Sequence, residues 1–317
     1  MAKLRLGLIG TGLAARQLYL PAFARLSQRL TVVACANRTR KKAESYAKLA
    51  KIPKVVDGLD ELLALPEVDA VLISLPIEQQ PPMIKRALAA GKPVMSEKPL
   101  APSVSVARRL LKATARYQVP WLVAENFAFM SNLEQVAAWV ASGRIGEPRL
   151  LEAHQIVSMD RNNPYFHTTW RQKPRHVGGF VSDAGVHLAH AVRRVLGMPK
   201  VVRRLVARFD PALPPPDTAL ALFKFPSGAL GTWASCFSAH HHGPMLRVYG
   251  SRGTAELGWD SARFVSPSGK EQLVKAKRSS FEAEFAHFCD VVLKGEPIAY
   301  TPAEALLDLK LIEQIVA

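Results

Sequence analysis

What most constrains the fold of this chain is a regular alternation of short apolar runs with helical patterns over residues 4–124. Residues 4–9, 31–36, 55–56, 70–75, 93–95 and 121–124 read as strands. Between them, helical spacing fills 13–30, 40–50, 59–65, 82–90 and 103–117. A strand that is always followed by a helix returns by crossover rather than by hairpin, so its neighbours in the sheet run parallel. Parallel strands with helices on both faces make a doubly wound α/β domain.

After residue 125 the rhythm changes. A helix over 133–142 leads to a strand over 150–157, then to a loop rich in Asn, Pro and aromatics over 160–179 and a helix over 181–196. Strands then follow with little helix between them, over 201–209, 218–225, 231–237, 246–250 and 255–258. Turn signals such as Pro226-Ser227-Gly228 join them, as in an open antiparallel or mixed sheet. Helices over 281–293 and from 302 onward finish the chain. The expected division is a first domain over 1–124 and an α+β domain over 125–317, with the helix at 302–317 packing back on the first. Two domains suit 317 residues at about 100–200 residues each.

The hydrophobic share of 49% is ample for two cores and excludes a disordered chain. Three scattered cysteines, Cys35, Cys236 and Cys289, exclude a disulfide scaffold and a thiolate zinc site. They fit a reducing cytoplasm, the expected location. No uncharged apolar run reaches the ~18 residues of a membrane helix, so no membrane partner is expected. The charge is the odd feature: +16 overall, with 20 Lys+Arg against 8 Asp+Glu in residues 1–124 and 22 against 18 in the rest. Such asymmetry raises nucleic acid as a partner, but no helix-turn-helix or finger pattern accompanies it.

A more specific anion site stands directly after the first strand. Gly10-Thr11-Gly12-Leu13-Ala14-Ala15 is a G-x-G-x-x-A fingerprint between strand and helix. Its first glycine makes a tight turn, its second lets the backbone approach a pyrophosphate, and its small last residue allows close helix–strand packing. The second strand runs into Asn37-Arg38-Thr39-Arg40-Lys41-Lys42, with no Asp or Glu to take a ribose 2′-hydroxyl. A 2′-phosphate is expected between Asn37 or Thr39 and the Arg38 guanidinium, which favours NADP over NAD.

By Glu97-Lys98-Pro99 the chain resembles the glucose–fructose oxidoreductase / inositol dehydrogenase / rhizopine catabolism (Gfo/Idh/MocA) family over nearly its whole length. The carriers are Gly10-Thr11-Gly12, the strand ending at Pro76, Ala90-Gly91-Lys92-Pro93-Val94, Glu97-Lys98-Pro99, Gly143-Arg144-Ile145-Gly146-Glu147-Pro148, Gly178-Gly179, Asp183-Ala184-Gly185-Val186-His187 and Gly250-Ser251-Arg252-Gly253-Thr254. The resemblance implies a Rossmann domain followed by an α+β domain whose open sheet pairs with its copy in homodimers or homotetramers. It implies an oxidoreductase of a small molecule carrying a hydroxyl or carbonyl, such as a sugar, polyol, cyclitol or diol. Lys98, Asp183 and His187 fall on the catalytic positions, and the Lys98–Pro99 bond is often cis in relatives. Contacts to the cofactor are expected from Gly10, Thr11, Gly12, Leu13, Ala14, Asn37, Arg38, Ser74, Pro76, Glu97 and Lys98.

The residues agree with that reading on their own terms. On a helix, Asp183 and His187 stand four apart on one face, where a carboxylate can orient an imidazole for acid–base work. Substrate contacts are expected from Asn126, Trp170, Arg171 and His187. Two departures stand out. Gln80 occupies the place of a histidine usual in relatives, and Glu125-Asn126-Phe127-Ala128-Phe129 lacks their arginine and proline. The run His240-His241-His242 suggests an exposed loop or a subunit interface, since successive strand residues alternate faces and do not converge on one ion. No metal is expected. The competing readings are a dinucleotide-dependent glycosidase of the same fold and a non-catalytic dinucleotide-binding regulator.

Overall fold

The structure, a computed structural model, describes residues 2–240 and 242–317. It divides into two compact units, one of residues 1–126 with 279–306 and one of residues 127–278 with 307–317. Among the described residues the first unit is built on a six-stranded sheet of β1 (Leu4–Ile9), β2 (Leu30–Ala36), β3 (Lys54–Val56), β4 (Ala70–Ile73), β5 (Val94–Glu97) and β6 (Trp121–Ala124). The order is β3-β2-β1-β4-β5-β6 and every pairing is parallel. That order reverses between β1 and β4, and open α/β sheets bind ligands in the crevice such a reversal leaves at the strands' carboxyl ends. The consecutive residues Leu6, Gly7, Leu8 and Ile9 are all buried, as a strand covered on both faces requires.

The connecting helices are α1 (Leu20–Arg25), α2 (Arg40–Ala50), α3 (Leu59–Ala64), α4 (Gln80–Ala89) and α5 (Val104–Thr114). In α5 the buried positions Val104, Ala107, Leu110 and Thr114 recur every three or four residues, which gives the helix one inward-facing stripe, and α5 packs beside α4. Ser103 closes its N-terminus by accepting a hydrogen bond from the Val106 amide at 3.3 Å.

The second unit carries α6 (Ser131–Ala141), β7 (Pro148–Ile156), α7 (Thr169–Gln172), α8 (Gly179–Leu196), β8 (Lys200–Ala207), β9 (Thr218–Lys224) and β10 (Leu230–Cys236). It continues with β11 (Leu246–Gly250), β12 (Gly253–Leu257), β13 (Ser261–Val265) and β14 (Glu271–Lys275). The sheet order is β14-β13-β12-β11-β7-β10-β9-β8, with β7 and β10 parallel and the other neighbours antiparallel. One face turns Leu151, Ala221, Phe223, Trp233 and Val248 into a core shared with α6 and α8. On β8, β9 and β10 the alternate residues Leu205, Leu220, Leu222 and Leu230 stay 45–72% exposed.

The tail differs from the expected division. The helix α9 (Ser280–Lys294) belongs to the first unit, while α10 (Pro302–Val316) is shared, its residues from Leu307 onward belonging to the second. The cause is aromatic packing. Phe285 of α9 sets its ring edge-on against Tyr19 at 5.1 Å and Phe23 at 4.9 Å between centroids. This segment also tempers the charge asymmetry, because residues 279–306 bring five acids and one lysine to the basic unit. Asp290 pairs with Arg29 at 2.6 Å and Glu282 with Arg25 at 3.7 Å. No helix among the described residues is long and apolar enough to cross a membrane.

Candidate active site

In the first unit the fingerprint turn is fixed by close approach of two strand ends. The Ser74 amide donates to the Ile9 carbonyl at 2.8 Å, and Gly10 holds φ +97°. A Cβ at Gly10 would sit 1.9 Å from the Ser74 carbonyl oxygen, so only glycine fits there. At Gly12 a Cβ would meet nothing within 4 Å, leaving the open backbone that a pyrophosphate needs. Thr11, nearly buried, accepts a hydrogen bond from Asn37 Nδ2 at 2.8 Å, and Asn37 Oδ1 accepts from the Thr39 amide at 3.1 Å. The turn and the end of β2 are thereby locked together. Arg38 beside them is exposed, whereas Arg40 is engaged by Glu44 and Asp57. The helix after the turn opens with a wide π-type turn over Ala15–Tyr19 before α1, a local form frequent at functional sites.

Glu97 ends β5, and the Lys98–Pro99 bond that follows is cis. Tyr19, buried in that π-type turn, donates its hydroxyl to Glu97 Oε1. Trp121 Nε1 donates to Ser96 Oγ at 2.9 Å and secures the same strand from β6. Gln80 is fully buried, and neither its Oε1 nor its Nε2 meets a protein partner. Asn126 is committed within this unit, donating from Nδ2 to Ser280 Oγ at 2.9 Å. Tyr19 carried no signal of this role, because the contact spans 78 positions.

In the second unit α8 begins at Gly179, two residues before the expected start, after Gly178 at φ +80°. A Cβ on Gly178 would lie 2.7 Å from a Val316 methyl, so α10 packs tightly against the entry to α8. Asp183 and His187 are one turn apart on α8, Asp183 nearly buried and His187 half-buried. The His187 ring stacks on Phe127 at 5.0 Å and 21°, and Trp259 meets Phe127 edge-on at 6.3 Å. Phe127 and Trp259 line a cavity of about 380 Å³ with His154, Gln155, Asp160, His240 and His242 among its walls. Gln155 reaches from β7 to α8, donating from Nε2 to the Ala184 carbonyl at 3.1 Å.

His240 and His242 are exposed at that cavity, and His241 lies outside the described residues. Among the described residues no group of three or more His, Cys, Asp or Glu is placed to hold a metal ion. Arg171, on α7, is brought onto Asp183, its Nε donating to Asp183 Oδ2 at 2.7 Å, while Trp170 packs its ring against the Arg171 guanidinium. Phe127 and Trp259 carried no sequence signal beyond being aromatic, because their role depends on which rings the fold brings together.

The geometry agrees with comparison to known proteins. Residues 4–125 match the model of an oxidoreductase family with an NAD-binding Rossmann fold, and residues 133–256 match the GFO/IDH/MocA C-terminal domain. The crystal structure of an oxidoreductase from Thermotoga maritima is 36% identical, with a TM-score of 0.93 over 98% of this chain and 95% of that one. A dehydrogenase of Fusarium mangiferae is 30% identical over 98% of this chain and 95% of its own length. The dTDP-3,4-didehydro-2,6-dideoxy-alpha-D-glucose 3-reductase of Streptomyces violaceoruber is 30% identical over 92% of this chain and 86% of its own. With an NAD-binding Rossmann unit, a matching C-terminal domain and relatives aligned along nearly its full length, the chain belongs to the Gfo/Idh/MocA family of oxidoreductases.

Proposed function

We propose that the protein interconverts a CH–OH group and a carbonyl on a sugar, polyol, cyclitol or diol, with NADP preferred over NAD and with Lys98, Asp183 and His187 as its catalytic groups. The observation that carries this reading is His187, one turn after Asp183 and stacked on Phe127, whose ring in turn lines a cavity of about 380 Å³. That volume suits a single-ring substrate. The fingerprint turn fits a dinucleotide through the close approach at Gly10 and the open backbone at Gly12. When bound, the nicotinamide supplies the two-electron acceptor or donor. His187 takes the hydroxyl proton in oxidation and returns it in reduction, and Asp183 orients the imidazole. Lys98 donates to the reacting oxygen and offsets its developing negative charge. The cytoplasm is the proposed setting.

Two experiments test the proposal. Purified protein offered NADP and a panel of sugars, polyols, cyclitols and dihydrodiols, or NADPH and the matching ketones, is expected to change absorbance at 340 nm with at least one couple. Silence across the panel, with dinucleotide binding demonstrated by fluorescence, would sink it. Arg38→Ala is expected to lower the affinity ratio of NADPH over NADH about tenfold or more, the size of a lost charge-assisted contact. An unchanged ratio assigns the 2′-phosphate elsewhere.

We further propose that Leu205, Leu220, Leu222 and Leu230 form the face on which a second copy packs. Their exposure on one sheet face amounts to an apolar patch that a lone subunit rarely leaves uncovered. Leu220→Glu with Leu222→Glu is expected to convert a dimer or tetramer into monomer by light scattering. A wild-type chain already monomeric at micromolar concentration overturns this.

A further inference from the structure

Arg171 stands out because its charge is already spoken for. Its Nε donates to Asp183 Oδ2 at 2.7 Å, and the two side chains are only 14% and 8% exposed. The guanidinium carbon lies 4.0 Å from the centre of the Trp170 ring and 4.6 Å from that of Tyr165, a cation–π contact on each. The surrounding loop is built to hold it. Thr168 Oγ1 donates to the Tyr165 carbonyl at 2.7 Å and accepts from Arg171 Nη1 at 3.4 Å, while Gln172 Nε2 donates to the Phe166 carbonyl at 2.7 Å.

We propose that Arg171 is a positioning residue for the acid–base pair rather than a substrate contact: clamped by Tyr165 and Trp170, it fixes Asp183 and sets how strongly that carboxylate favours a protonated His187. The proposal rests on the reading of Asp183 and His187 as the proton-handling pair. An aspartate one turn from a histidine stabilises the imidazolium. A guanidinium bonded to the same carboxylate cancels much of that field at close range in a poorly hydrated site. The pull of the Asp183 carboxylate on the His187 ring is therefore weaker than that of an aspartate with no cation bonded to it.

Other titratable groups of this unit bear on the same region. His176, before α8, sets its ring 5.7 Å from Trp170. One turn beyond His187, His190 lies 3.4 Å from Asp308 of α10, to which Arg193 also donates at 2.5 Å. Tyr165 faces the guanidinium itself. Of these, Arg171 is bonded directly to the Asp183 carboxylate.

The test is the pH dependence of kcat/KM for alcohol oxidation. Arg171→Met keeps an apolar stem against the two rings and removes the charge. It is expected to move the acid limb upward by about one pH unit, with KM at the optimum changed less than about threefold. Arg171→Lys, which restores a cation, is expected to bring the limb back toward wild type. An unmoved limb with KM raised tenfold or more makes Arg171 a substrate contact and overturns the proposal. If Arg171→Met fails to fold by circular dichroism, Arg171→Lys decides: an unchanged KM supports positioning, and a tenfold rise overturns it. His187→Ala is run alongside. Should it retain wild-type turnover and pH profile, the underlying assignment of the pair fails, a result distinct from either outcome at Arg171.

Discussion

Replacing His187 by alanine, or Lys98 by methionine, is expected to lower turnover by about two to four orders of magnitude, the usual worth of a positioned acid–base or oxyanion-stabilising group. NADPH, followed by fluorescence, should still bind, within about threefold of wild-type affinity for His187→Ala and weaker by no more than a single contact for Lys98→Met. The separation of the two readouts follows from the structure of each unit. His187 belongs to the second unit and makes no part of the fingerprint turn held by Gly10, Thr11, Asn37 and Ser74. Lys98 follows Glu97, to which the Tyr19 hydroxyl donates. Methionine preserves the stem of Lys98 while deleting its charge and its donors. Residues that act as a unit are strongly non-additive, so the double variant should fall little below the slower single one. Wild-type turnover by either variant on the true substrate would remove that residue from the catalytic set.

The first unit was largely legible because its signals are local. Strand-to-helix alternation gave the parallel sheet, and the glycines of the fingerprint mark a turn whose geometry admits nothing larger at Gly10. The i, i+4 spacing of Asp183 and His187 was equally readable once α8 was recognised as a helix. Long-range contacts left no such trace. Nothing near residue 285 announces that its phenyl ring packs against Tyr19, so α9 was expected in the wrong unit. The strand β14 went unread because it lies at the sheet edge with Glu271, Gln272, Leu273 and Lys275 exposed, and β13 went unread with it. Arg171 offered the sequence a cation in an aromatic loop, which suits a substrate or a carboxylate of the protein equally well. The 2.7 Å bond to Asp183 exists only once the loop is folded against α8.

Glu284→Gln is expected to stabilise the protein, and more so as pH rises. Glu284 sits on α9, fully buried, and neither carboxylate oxygen meets a hydrogen-bond partner. Burial, with the charges of Glu125 and Glu97 adding to it, holds its carboxyl well above its ordinary value of 4.5. A raised acid favours the folded chain's proton. Below about pH 4.5 both folded and unfolded states carry that proton, and Glu284 adds no pH-dependent cost. Above it the unfolded chain ionises while the folded one does not, so stability falls with a slope of up to about 1.4 kcal/mol per pH unit until the folded carboxyl itself titrates. Glutamine has the same shape, carries no proton to lose, and offers an amide donor to the neighbouring carboxylates. His287, one turn along α9, has its imidazole pushed below the ordinary value by burial and so adds a slope of opposite sign at acid pH. It is common to both proteins and cancels in their difference. Melting curves from pH 5 to 8 should therefore diverge steadily, with the variant higher. Parallel curves would mean that Glu284 is already ionised in the folded protein, its charge met by a partner inside the first unit.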